Sequence, residues 1–136
     1  MKIRKVNKKD KKSVSDLYRK IHPMGKRIPH LLEKLAIKQY VFVAEEKRQM
    51  VGFVWGYIVT HGFFKYAVIE ELNVEKKFRR QGLGKSLLGA FIKEMKTLKI
   101  LTILVTVSKK NTIAVSLYKR LGFQTSPDYW FYLIPK

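Results

Sequence analysis

The sequence predicts an α/β fold in one domain spanning residues 1–136, a mixed sheet with helices packed against it. Three observations carry this. Apolar residues recur at helical spacing in several separated stretches, and stretches of strand length rich in Val, Ile and aromatics lie between them. The chain has 136 residues, 46% of them hydrophobic, which suits one core of ordinary size.

Met1 to Val6 reads as a first strand. From Asp10, the residues Val14, Leu17, Tyr18 and Ile21 mark a helix, which His22-Pro23-Met24-Gly25 breaks. A second helix is expected over Pro29–Lys38, with Pro29 near its start and Leu31, Leu32, Leu35 and Ala36 as its apolar side. Tyr40 to Glu45 reads as a strand. The polar Glu46-Lys47-Arg48-Gln49 turns it back into Met50 to Thr60, completing a hairpin. Tyr66 to Val74 is a further strand. A strong amphipathic helix follows, with Leu83, Leu87, Leu88, Phe91, Ile92, Met95 and Leu98 along one face. Ile100 to Val107 is apolar almost throughout, as for a strand covered on both sides. Asn111 to Leu121 is a last amphipathic helix stopped by Gly122, and Tyr129 to Ile134 reads as a closing strand.

Twenty-nine Lys and Arg against ten Asp and Glu give a net charge of +19. Such a field favours polyanions or a phosphorylated ligand, although single lysines are mostly solvated surface. There is no cysteine, so disulfides and thiolate metal sites are excluded, and a cytoplasmic setting is expected. His22, His30 and His61 lack metal-motif spacing, and no metal is expected. No apolar run is long enough to span a bilayer, and no membrane partner is expected.

The most informative stretch is Arg79-Arg80-Gln81-Gly82-Leu83-Gly84-Lys85-Ser86, placed between a strand and a helix. A helix start offers unpaired N–H groups and a positive dipole end, and glycines let an anion approach them. A P-loop would need glycine where Arg79 stands, and a dinucleotide fingerprint would need a small residue where Leu87 stands. A third pattern, Arg/Gln-x-x-Gly-x-Gly/Ala, is matched in full by Arg79, Gly82 and Gly84. A plain chain-reversing turn is the structural alternative. A second signature runs Asn111-x-x-Ala114-x-x-x-Tyr118-x-x-Leu121-Gly122-Phe123, which an ordinary N-capped helix also explains residue by residue.

With both signatures in this order, the chain resembles the GCN5-related N-acetyltransferases, over about Val41 to Phe123. The resemblance implies a mostly antiparallel sheet whose central strands splay apart. It also implies acetyl-CoA as acetyl donor and transfer to a primary amine, on a small molecule or on a protein N-terminus or lysine. By the same resemblance, Arg79, Arg80, Gln81, Gly82, Leu83, Gly84 and Lys85 form the pyrophosphate turn. Leu72, Asn73 and Val74 bond the pantetheine arm through their backbone, Asn111 bonds the same arm, and Tyr118 protonates the departing thiolate. A base is needed for the ammonium proton, and the resemblance points to Glu70 on the strand before the turn, with Glu71 beside it. Alternation puts these two glutamates on opposite faces. The ribosomal-protein N-terminal acetyltransferases carry a glutamate where this chain has Thr106.

The chemistry itself requires a base for the amine and an acid near the sulfur, and no covalent enzyme intermediate. The acceptor site is expected to draw on His22, Met24, Trp55, Tyr57, Tyr129 and Trp130. The strong positive charge favours neutral or acidic amines, or a protein N-terminus, over polyamines and aminoglycosides. Two other readings stay open: a nucleic-acid module built on Lys2, Arg4, Lys5, Lys8, Lys9, Lys11 and Lys12, and a non-catalytic acetyl-CoA sensor. Homodimers are common in families of this kind.

Overall fold

The computed structural model describes residues 1–22, 38–62 and 64–135, so all but the last residue of the helix expected over Pro29–Lys38, and the acceptor candidate Met24, lie outside the described residues. The elements are β1 (Lys2–Lys5), α1 (Lys11–Ile21), β2 (Gln39–Glu46), β3 (Gln49–His61), β4 (Phe64–Val74), α2 (Leu83–Thr97), β5 (Thr102–Val105) and α3 (Thr112–Arg120). The chain groups into two compact units, Met1–Thr106 and Val107–Lys136.

The first unit holds the sheet, in the order β1-β2-β3-β4-β5. The first three ladders are antiparallel and β4 pairs β5 in parallel, so the sheet is mixed and mostly antiparallel. The β2–β3 hairpin turns through Lys47 and Arg48, both at positive φ (48° and 64°), the backbone that matches a two-residue connection to strand twist.

Pairing fixes which side chains share a face. Val41 and Val43 of β2 and Phe53 of β3 bury against Val14 and Leu17 of α1. This is the stripe that the spacing from Asp10 predicts. The opposite face takes α2. A Cβ on Gly56 would lie 2.2 Å from the Val68 carbonyl oxygen and 2.7 Å from Phe91 Cζ, so glycine here lets Phe91 pack directly on the strand. Leu83, Leu87, Leu88, Phe91 and Met95 of α2 are all fully buried.

Two expectations are corrected. β5 is shorter than the apolar run and forms the edge of the sheet, with all four residues part-buried rather than covered on both sides. In the second unit, Tyr129–Ile134 forms no strand. These six residues are between 70% and 91% exposed. Strand character is realised only by pairing, and this run has no ladder partner among the described residues.

Arg4 and Asp10 tie β1 to the start of α1. The guanidinium donates two bonds to the carboxylate, at 2.7 and 2.8 Å, and the Asn7 N–H donates a third at 2.7 Å. Arg4 therefore holds the Asp10 carboxyl below its usual range, against the opposing effect of burial. A depressed folded pKa gives stability that is complete above the unfolded value, about 4, and is lost as pH falls through the folded one. Asp10→Asn is expected to cost about 1–3 kcal/mol at pH 7. Urea denaturation from pH 7 to pH 2 should show the gap to wild type closing below about pH 4.

Candidate functional site

The site is built on the second half of β4 and the turn that follows it. β4 pairs β5 only from Tyr66↔Thr102 to Ile69↔Val105. Beyond Ile69 its outer edge has no strand partner among the described residues, while its inner edge stays on β3 through Gly52↔Val74. Glu75 N–H donates to Val51 O at 2.8 Å, which sets the alternation of the antiparallel ladder. Asn73 and Glu71 therefore direct their main-chain groups to β3, and Leu72 and Val74 direct theirs to the open edge. The Val74 carbonyl already accepts a bond from Arg79 Nε at 2.8 Å. Among Leu72, Asn73 and Val74, the main-chain groups of Leu72 and Val74 face the open edge and those of Asn73 face β3.

The turn starts at Glu75, which is 6% exposed and paired with Lys20 of α1 at 2.5 Å. No motif or spacing in the sequence marks this residue, which stands beside Lys76 and Lys77. Arg79 closes the turn through the bond just described, which makes it a structural clip. Arg80 and Gly82 take left-handed backbone, φ 64° and 78°. Gly82 is the N-cap of α2 and no side chain caps that end. Ser86 N–H donates to Gly82 O at 3.0 Å, so the amides of Leu83, Gly84 and Lys85 project from the helix end. Arg80, Gln81 and Lys85 are exposed around them. A Cβ on Gly82 would meet nothing within 4 Å, so the ground over the turn is open. Unpaired amides, a positive helix end and exposed cations together fit a pyrophosphate.

Glu70 and Glu71 fall on one face, not on opposite faces. The β3–β4 register jumps from Trp55↔Glu71 to Gly56↔Ile69, leaving Glu70 as the extra residue of a β-bulge. Simple alternation fails at such a point. Glu70 is exposed and sits beside the Tyr57 hydroxyl, whose pKa is pushed up by burial and then by the Glu70 charge. Glu71 bonds the His22 ring Nε2 at the end of α1 and accepts from Asn73 Nδ2 at 2.9 Å. The Tyr18 ring packs on His22, centroids 4.5 Å apart, and Trp55 lies 6.4 Å from Tyr57. Of the acceptor candidates, His22, Trp55 and Tyr57 are thus gathered with the glutamates on this face. Thr106 lies just past the end of β5 and is exposed.

In the second unit, Asn111 caps α3, its Oδ1 accepting from Ala114 N–H at 3.1 Å. Its carbonyl is thereby engaged, and its amide remains for any other partner. Tyr118 is the buried residue of α3, with its ring edge-on to Phe123 at 5.4 Å. Burial raises the Tyr118 pKa, so the phenol keeps its proton well beyond neutral pH. Tyr129 and Trp130, the remaining acceptor candidates, lie in the exposed tail.

Because the space over Gly82 is open, replacing it costs backbone strain rather than a clash. Gly82→Ala should lower unfolding free energy by about 1 kcal/mol, and Gly82→Asn by less, since Asn tolerates left-handed backbone. Urea titration of both variants checks this; a larger loss for Asn would indicate steric crowding.

Comparison with known proteins agrees with this geometry. Residues 11–123 match the model of the Acetyltransferase (GNAT) family. The chain is 33% identical over 67 residues to the [Ribosomal protein bS18]-alanine N-acetyltransferase of Salmonella typhimurium, covering 49% of this chain and 45% of that protein. It is 32% identical over 82 residues to N-alpha-acetyltransferase 30 of Dictyostelium discoideum, covering 60% and 44%. The chain thus spans about half the length of the curated relatives it matches. In fold it is similar to the aminoglycoside N-acetyltransferase AAC(6')-Iy, with TM-score 0.82, 21% identity and 99% and 98% of the two chains covered. It is also similar to a ribosomal-protein-alanine N-acetyltransferase from Brucella melitensis, with TM-score 0.80, 16% identity and both chains covered in full. On the strength of a family match that runs from α1 to Phe123, the chain belongs to the Acetyltransferase (GNAT) family.

Proposed function

We propose that the two units work as one N-acetyltransferase domain, with acetyl-CoA as donor and a primary amine as acceptor. The observation that carries this reading is the adjacency, within the first unit, of an uncapped helix start and a strand edge left open. Leu83, Gly84 and Lys85 would hold the pyrophosphate through backbone amides, with Arg80 and Lys85 adding charge. Leu72 and Val74 would hold the pantetheine amides as a strand partner does. Acetyl-CoA supplies the activated acetyl group when bound.

The chain's own residues then manage two protons. Glu70, exposed at the bulge, takes the proton of the incoming ammonium. Glu71 is occupied by His22 and Asn73, so it positions the end of α1 rather than serving as base. Tyr118, kept protonated by burial, gives its proton to the departing sulfur. Asn111, as a helix cap, sets the start of the helix that carries Tyr118.

Acetyl-CoA at a hundredfold excess over Kd should stabilise the fold by about 2.7 kcal/mol, read as a rise in Tm. A Tm that does not move at saturation would sink the reading. Tyr118→Phe should cut turnover by roughly 10²–10⁴-fold with little change in acetyl-CoA affinity. Glu70→Gln should slow turnover by a factor that shrinks as pH rises, because more of the acceptor amine is already neutral. A pH-independent defect would remove Glu70 from proton transfer.

A further inference from the structure

The chain carries nearly three cations for every acidic residue, 29 against ten, so a carboxylate without a cation is conspicuous. In the first unit, each other described carboxylate has a cationic group within 3.7 Å or, for Glu71, the His22 imidazole. Glu70 alone among them has none. Shortage of cations cannot explain this. The bulge leaves Glu70 exposed, beside the Tyr57 phenol and next to Glu71. On the same face run Tyr57, Tyr66 and Phe64. Tyr66 lies close enough to affect Tyr57, and its ring is 5.7 Å from Phe64. Aromatic faces attract cations and also pack against apolar stems.

We infer that the amine acceptor is a single cation on an apolar stem, with Glu70 as the residue that selects its charge. The inference rests on the acetyl-transfer reading for the reaction and adds the substrate class. One open carboxylate accommodates one ammonium, since Glu71 is already engaged. Each further positive charge on the acceptor meets the field of a +19 chain, so dications and polycations are disfavoured, least so at high salt. The local carboxylate thereby reverses, for a monocation, the disadvantage that the global charge imposes.

Glu70 is also the proposed base, so binding must be read apart from proton transfer. Phenethyltrimethylammonium is a permanent cation with no proton to lose and cannot be acetylated. Its Kd, measured by calorimetry, should rise about tenfold in Glu70→Gln and much less in Glu70→Asp, while the Kd of phenethyl alcohol stays unchanged. Hexamethonium, a permanent dication, should bind more weakly than the monocation at low salt. Failure of the wild type to bind the monocation, an equal Kd in Glu70→Gln with the fold intact, or tighter binding of hexamethonium would each overturn the inference. Transfer to phenethylamine, followed as CoA thiol release in the same preparations, separates the two claims. Glu70-dependent cation binding without any transfer would refute the acetyl-transfer reading alone. Transfer with Glu70-independent cation binding would refute only the charge selection.

Discussion

The site depends on one strand being treated differently on its two edges. A buried or half-buried main chain must find hydrogen-bond partners for every N–H and C=O. Over Tyr66–Ile69, β4 finds them in β3 and β5; over the residues that follow, only β3 supplies them. Leu72 and Val74 are left with groups directed to an edge where the described sheet offers no strand. Arg79 satisfies one of these by bonding Val74 O, and that same bond fixes the turn leading into α2. The open strand edge and the open helix start are thus coupled by a single side chain. Glu75, buried and paired with Lys20, pins the junction to α1 from behind.

The bulge at Glu70 is the second consequence of β4's irregularity. One extra residue brings two consecutive glutamates to the same face, and their surroundings then divide their tasks. Glu71 meets His22, Asn73 and the charge-sensitive Tyr18, which fastens the end of α1 to the strand. Glu70 meets a phenol and solvent. Two identical side chains, adjacent in sequence, become an engaged carboxylate and an exposed one through backbone geometry.

Much of the fold was legible because its signals are local. The stripes of α1 and α2, the turn at Lys47-Arg48 and the glycine turn each follow from residue spacing or backbone preference. The family match, residues 11–123, agrees with the resemblance drawn from Gly82, Gly84, Asn111 and Tyr118. The misses are non-local. Alternation alone places Glu70 and Glu71 on opposite faces, because a bulge is set by the partner strand and not by the strand itself. The Tyr129–Ile134 run has strand composition, yet composition does not supply a partner. Local spacing does not single out Glu75, because its partner Lys20 lies 55 positions earlier. Asn111 illustrates a different limit: the cap and the ligand contact call for the same residue type, and both readings were present in the sequence.

The central claim is that the second half of β4 and the start of α2 form one continuous donor-binding surface. Residue-resolved amide hydrogen exchange with and without acetyl-CoA tests it most directly. The amides of Leu72, Val74, Leu83, Gly84 and Lys85 should gain protection together on addition of the donor. Asn73, already bonded to β3, and Tyr66–Val68, paired on both edges, should not change. Protection that misses Leu72 and Val74, or that falls on the turn without the strand, would contradict the account.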